Sequence, residues 1–127
     1  MFEKLELTRM AQALAAHAGA RMSVIAQNVA HADTPGYKAQ DLPAFDKVFA
    51  SSGSEMRATR AGHLHGGSGS AALIPERAPG REAPNGNTVS LEGEMVKSVE
   101  TRQSHEMALA VYRATSDVIR ASLGRAR

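Results

Sequence analysis

The residues Asn28-Val29-Ala30-His31-Ala32-Asp33-Thr34-Pro35-Gly36-Tyr37-Lys38 divide the chain into two unlike parts. Before them runs an unbroken helical pattern, which does not return until residue 88. Thr34-Pro35-Gly36-Tyr37 suits a type II turn, because Pro35 presets φ at the second position and Gly36 supplies the positive φ of the third. Thr34 precedes a proline and is pushed out of helical geometry, so the helix is expected to end near Asp33.

Working back from the turn, residues 5–31 read as one long helix. Leu7, Ala11, Leu14, Ala18, Met22, Ile25 and Val29 follow one another at intervals of three and four, which is helical periodicity on a single face. Several of these positions also recur every eleven residues, an interval that gives a nearly straight packing stripe. At 1.5 Å per residue the helix would be roughly 40 Å long. His17 lies beside the stripe and reads as a packing-edge residue rather than a ligand.

Working forward, residues 39–50 carry Leu42, Phe45, Val48 and Phe49, which suit either a short helix or an extended segment docked on the terminal helices. Residues 51–87 hold 7 Gly, 3 Pro and 5 Ser among 37 residues, so little there can bury a core, and an irregular, partly disordered loop with room for a short hairpin is expected. Helical periodicity resumes over 88–123, where Val96, Val99, Gln103, Met107, Ala110, Ala114, Val118 and Ala121 again sit three and four apart. Ser90 is the expected N-cap, with Glu92 and Glu94 at the positive end of the helix dipole and Arg120, Arg125 and Arg127 toward the negative end.

The expected fold is therefore all-α: long N- and C-terminal helices packed as an antiparallel coiled coil and joined by an irregular Gly/Pro/Ser-rich middle. The divisions are an N-terminal axial helix over 1–33, the turn and a transitional segment over 34–50, a flexible loop over 51–87 and a C-terminal axial helix over 88–127. The two stripes are expected to face each other. Val24, Met95, Leu109, Val111 and Leu123 lie off the stripes, and a helix that is apolar on more than one face calls for more than one neighbour. The 43% hydrophobic content is rich in alanine, with 4% aromatic residues and no Trp, which lets such neighbours approach closely. A protein ordered by assembly is the reading that follows.

The chemistry-bearing residues point away from catalysis. The chain has no cysteine, so disulfides and thiolate metal sites are excluded. His63 and His65 lie in a Gly/Ser-rich stretch without a carboxylate at ligand spacing, and with His17, His31 and His105 they read as ordinary histidines rather than a metal site. Gly66-Gly67-Ser68-Gly69 lacks the following Lys-Ser/Thr of a phosphate loop. No nucleophile elbow or paired carboxylates appear. Asn85-Gly86 is a turn signal open to deamidation, and Arg102 with Glu106 reads as a surface ion pair. A net charge of +2 without a dense Lys/Arg run argues against nucleic acid as a partner. No apolar run long enough for a transmembrane helix is seen, and no cleaved secretory signal is expected at the N-terminus. No enzyme activity and no cofactor are expected.

Asn28-Val29-Ala30-x-Ala32-Asp33-Thr34-Pro35-Gly36-Tyr37-Lys38 closely resembles the signature that follows the N-terminal helix of bacterial flagellar rod and hook proteins. Gly86-Asn87-Thr88-Val89-x-Leu91-x-x-Glu94-Met95 looks like the start of the C-terminal helix in the same superfamily. Short length and the compact turn make the chain similar to the proximal rod type. His31 stands where that family usually has Asn, and Ser104-His105 where Tyr is common. The resemblance covers residues 5–46 and 85–124. It implies a structural subunit, exported through the flagellar type III apparatus without a cleaved signal and placed in the periplasmic rod of the basal body. Its partners would be further copies of itself, other rod subunits, the rod-to-ring adaptor and the export apparatus, with no membrane insertion. The turn would be fastened by Asn28 and Asp33 and anchored by Tyr37. A small helical adaptor or secretion chaperone, or a sibling rod subunit, is the competing reading.

Overall fold

The computed structural model describes residues 2–52 and 73–124. In chain order these form α1 (Phe2–Ala30), β1 (Gln40–Asp41), α2 (Phe45–Ser52), β2 (Glu76–Arg77) and α3 (Leu91–Ser122). The loop histidines His63 and His65 and the Gly66–Gly69 run lie outside the described residues, as does most of the expected flexible loop.

Helices α1 and α3 pack along each other, and their direction follows from which residues meet. Asn28 near the end of α1 reaches Glu94 near the start of α3, whereas Ala11 and Ala15 share an apolar notch with Ala108 and Tyr112. The pair is therefore antiparallel. Ser90 caps α3 in extended geometry, accepting a hydrogen bond from the Gly93 N–H. That places the helix start at Leu91 rather than at residue 88. At the other end, Leu123 N–H bonds to the Ile119 carbonyl and Gly124 turns the chain with φ of 84°.

The seam between the helices differs from the expected one. On α3 the buried residues are Glu94, Thr101, Ala108 and Thr115, seven apart. On α1, Ala11, Ala18 and Ile25 are buried at the same interval, with His17, Val24 and Asn28 beside them. A seven-residue period keeps one narrow seam turned toward a partner helix when the two coil left-handedly. The eleven-residue stripe of α3 points the other way: Val96, Val99, Gln103, Met107, Ala110, Ala114, Val118 and Ala121 are all exposed. The stripe on α1 is split, with Leu14 and Met22 half-buried and Leu7 and Val29 exposed. Small residues explain the choice. Ala, Thr and one buried Glu let α3 lie close against the alanines of α1, which the bulkier Val and Met of the outer stripe would prevent.

The transitional segment contains both of the structures that its sequence allowed. Gln40–Asp41 is extended, and Phe45–Ser52 is a short amphipathic helix. Phe45 and Phe49, one turn apart, pack with centroids 5.4 Å apart and rings tilted by 31°. Phe45 meets the His17 ring edge-on, and Arg9 lies over Phe49. His17 Nε2 donates to the Pro43 carbonyl at 2.8 Å. The short strand in the later segment is no local hairpin. Glu76–Arg77 pairs antiparallel with β1, Gln40 opposite Arg77 and Asp41 opposite Glu76. Arg102 and Glu106 form the expected exposed ion pair at 3.1 Å.

Replacing Ala108, which is 1% exposed, by Leu should force the helices apart and cost about 1–3 kcal/mol. Val99→Ala on the outer stripe should change stability by no more than about 0.5 kcal/mol. Urea unfolding of the purified chain, followed by circular dichroism, checks both; a Val99→Ala loss as large as that of Ala108→Leu would mean that the outer stripe is packed within the chain.

Candidate functional site

Where the two sequence motifs meet, they form a polar clasp at one end of the helix pair. The first is Asn28–Lys38 and the second is Asn85–Glu94, more than fifty residues later. Thr34-Pro35-Gly36-Tyr37 is the type II turn, with the Tyr37 N–H bonded to the Thr34 carbonyl and Gly36 at φ of 73°. Ala83-Pro84-Asn85-Gly86 is the facing turn, closed by the Gly86 N–H on the Ala83 carbonyl at 2.8 Å. The two turns touch through their glycines. A Cβ on Gly86 would lie 3.4 Å from the Gly36 Cα, and Gly86 also has a positive φ of 78°. The approach itself is ordinary contact, and it is the positive φ at both glycines that disfavours a side chain here.

Main-chain bonds stitch the turns together: Gly36 N–H to Asn85 O, Thr88 N–H to Tyr37 O, and Ala78 N–H to Ala39 O. Side chains complete them. The Ala39 N–H donates to Thr88 Oγ1, and Lys38 Nζ donates to Glu82 at 2.7 Å and to the Gly86 carbonyl at 2.9 Å. The hydrogen bond from Lys38, followed by its charge, lowers the pKa of Glu82.

Asn87, buried at 3% exposure, holds the turn that follows α1 from across the sequence. Its Nδ2 donates to the carbonyls of His31, Ala32 and Thr34 at 2.9, 2.7 and 2.9 Å. The last carbonyls of α1 are met by the His31 and Ala32 N–H groups, and this one amide gathers the carbonyls of the non-helical segment that follows. Its Oδ1 accepts from the Val89 N–H at 2.7 Å, turning the chain toward the Ser90 cap.

Asn28 is wholly buried. Its Nδ2 donates to the Gln40 carbonyl at 2.7 Å and to Glu94 Oε2 at 3.0 Å, while its Oδ1 accepts from the Gln40 N–H and from the Tyr37 hydroxyl. Behind it lies a charge-balanced cluster of two cations and two anions. Glu94, 2% exposed, pairs with Lys97 at 2.9 Å. Lys97 also reaches Asp41 at 3.6 Å. Asp41 takes a bidentate pair of bonds from Arg21 at 2.8 and 2.9 Å. Burial alone would raise the pKa of Asp41, but the bonds from Arg21 and from the Leu42 N–H, with the charges of Arg21 and Lys97, bring it below the usual carboxylate value. The bond to Asp41 likewise raises Arg21 above the ordinary guanidinium value.

The expected turn residues divide into three groups. Asn28 and Tyr37 are tied into the clasp, while Thr34, Pro35 and Gly36 build the turn. Asp33 is exposed and makes no hydrogen bond among the described residues; the carbonyls beside it need a donor, which Asn87 supplies and a carboxylate cannot. His31 stacks on Tyr37 at 4.6 Å between ring centroids and bonds Thr34 Oγ1, so it braces the turn from its solvent side. Sequence reasoning missed Arg21, Lys38, Asp41, Glu82, Asn87 and Lys97 as clasp residues. A signal was available for Asn87, which sits inside the second motif.

Fold and site together define a class: a chain whose two ends are long antiparallel helices locked at one end by paired turn motifs. No protein-family model matches it. The chain is similar to the flagellar basal body rod protein FlgB of Agrobacterium fabrum, 24% identical over 121 residues that cover 88% of each chain. That likeness supports kinship with the flagellar rod proteins, in line with the motif resemblance.

Asn28→Ala should cost about 1–3 kcal/mol by leaving buried partners unbonded. Asn28→Asp should cost about 3–5 kcal/mol at neutral pH, since a third carboxylate then faces Glu94 in a buried site. That new pair holds a proton more tightly folded than unfolded, so the Asn28→Asp chain should regain stability as pH falls from neutral toward the unfolded carboxylate range, about 4. Unfolding midpoints across that range, with Asn28→Ala showing no such recovery, check the assignment.

Asp41→Asn tests the charged half of the cluster. Its folded pKa is depressed, so the carboxylate's contribution is present above the unfolded value of about 3.9 and is lost as pH falls through the lower folded value. The variant should be less stable by about 1–3 kcal/mol at neutral pH, and the gap from the parent chain should close in acid. A gap independent of pH would place the effect elsewhere.

Proposed function

We propose that this chain is a structural, non-enzymatic subunit of the proximal rod of a bacterial flagellar basal body, polymerising through its terminal helices. The observation that carries the reading is the outward face of α3. Met95, Val96, Val99, Met107 and Val118 lie 64%, 58%, 67%, 56% and 46% exposed along one long helix that already has its intrachain neighbour on the opposite side. Contiguous exposed apolar surface of this kind marks a docking face. The clasp supports the same reading, because it joins the two segments that resemble the rod and hook signature and fixes how the helices are presented. The likeness to FlgB points to the same class of protein.

In this role the α3 stripe, with Leu7 and Val29 of α1, meets neighbouring rod subunits and further copies of the chain. The subunit sits in the periplasmic rod, reached through the flagellar export apparatus, between the rod-to-ring adaptor and the drive shaft. Its task is mechanical: it carries load between partners and transforms no substrate.

Val99→Asp combined with Met107→Asp should leave the circular dichroism and unfolding of the isolated chain nearly unchanged, because both side chains face solvent. The same chain, expressed in the organism in place of the parent, should be missing from purified basal bodies and should abolish motility. A parent chain absent from basal bodies of motile cells would overturn the proposal.

A further inference from the structure

The sequence contains three asparagines, and Asn85 is the one followed by glycine. Asn28 and Asn87 are buried and are followed by Val29 and Thr88, whose branched Cβ atoms crowd the next peptide nitrogen. Asn85 is exposed, and Gly86 leaves its nitrogen open to the neighbouring amide carbon. In an unstructured chain such a pair cyclises. The Gly86 nitrogen bonds to Asn85 Cγ, the Cγ–Nδ2 bond breaks, and Nδ2 departs as ammonia with the hydrogen that Gly86 N gives up. Water then opens the imide at one of its two carbonyls. Cleavage of the new bond to Cγ gives aspartate; cleavage of the original main-chain bond gives isoaspartate.

The closed clasp holds every atom that must move. Gly86 N–H is committed to the Ala83 carbonyl at 2.8 Å, and the Gly86 carbonyl to Lys38 Nζ at 2.9 Å. Asn85 Oδ1 accepts from the Asn87 N–H at 3.1 Å, and the Asn85 main-chain carbonyl accepts from the Gly36 N–H at 3.0 Å. Ring closure would break the bond to Ala83 and swing the Asn85 amide off Asn87, the residue that holds the turn after α1. We infer that Asn85–Gly86 is a spontaneous modification site kept silent by the closed clasp, so that the chain records time spent unclasped as isoaspartate at this position.

The two products act differently on the fold. The aspartyl form keeps the main-chain path, and its carboxylate still accepts from the Asn87 N–H. The isoaspartyl form inserts a methylene into the main chain and turns the oxygen that held Gly36 N–H into part of a side-chain carboxylate. The extra atom falls inside the turn that the Gly86 N–H closes on the Ala83 carbonyl at 2.8 Å, and it displaces the acceptor that the Gly36 N–H uses. Isoaspartate therefore bars the clasp from closing again.

The test incubates the full chain in mildly alkaline buffer with increasing urea. Conversion at Asn85 is followed by peptide mass spectrometry, with isoaspartate and aspartate separated by chromatography. An unstructured peptide spanning residues 83–89 corrects for urea itself. Conversion should be roughly tenfold or more slower in buffer than in unfolding urea, the suppression that an opening free energy of about 1.4 kcal/mol or more produces. It should rise with the fraction of chain unfolded, and Asn87→Ala should convert rapidly in buffer whether it is merely unclasped or wholly unfolded. Asn85→Asp should unfold at the same urea concentration as the parent, while purified isoaspartyl chain should unfold at a lower one. Corrected rates that are equal in buffer and urea would overturn the inference, as would an isoaspartyl chain as stable as the parent.

Discussion

The buried amide of Asn28 is the interaction on which the rest of the structure leans. An asparagine side chain offers two donor hydrogens and an oxygen with two acceptor sites. All four are used here, on Gln40 twice, on Tyr37 and on Glu94. Those partners belong to α3, the turn and β1, so one side chain of α1 fixes the positions of three separate segments. Aspartate would lose both donors, and leucine would take the partner from four polar groups, buried Glu94 among them. Saturation makes a wholly buried amide tolerable, and it makes the site specific to asparagine.

The helix seam alone could not supply that specificity. Ala11, Ala18, Ala108, Thr101 and Thr115 are small, and a smooth surface of small side chains packs closely in several axial registers. A polar group at a seam position removes that freedom, because any slip strands it against apolar atoms. Asn28–Glu94 and the Arg21–Asp41–Lys97 group lie near one end of the seam and join α1 to α3 at that single register. Close approach thus comes from the alanines and register from the clasp. The exposed Val and Met side chains of α3 do neither within the chain, which leaves their face available for a neighbour.

Much of this was legible in the sequence, and the exceptions have physical causes. Pro35, Gly36 and Ser90 act through local backbone geometry, so the turn and the α3 cap could be read directly. Both long helices could be read from periodicity alone. Which face of α3 turns inward could not: hydrophobicity picked out Val96, Val99 and Met107, whereas burial went to Glu94, Thr101, Ala108 and Thr115. Apolar residues mark a face that will be covered by something, without saying whether the cover belongs to the same chain. In α3 the two meanings separate, because Val96, Val99 and Met107 are exposed while smaller residues fill the seam. The partners of Arg21, Lys38 and Asp41 were hidden for another reason. Each bond spans twenty to nearly fifty residues, and charge pairs at such separations leave no periodic trace.

Exposed Asp33 shows how the clasp distributes its work. It stands just beyond the end of α1, whose last carbonyls are met locally: the His31 N–H bonds the Gln27 and Asn28 carbonyls, and the Ala32 N–H bonds that of Val29. The carbonyls of the segment that follows need a donor, which a carboxylate does not offer. Those of His31, Ala32 and Thr34 bond Asn87, which arrives from the far side of the sequence. A local donor would have let the turn close by itself, independent of α3. With a distant residue holding it, the turn is complete only when residues 85–94 are in place beside it. The turn and the helix pairing therefore form as one cooperative unit, and the side of α3 that remains bare is presented only by chains whose two ends have met.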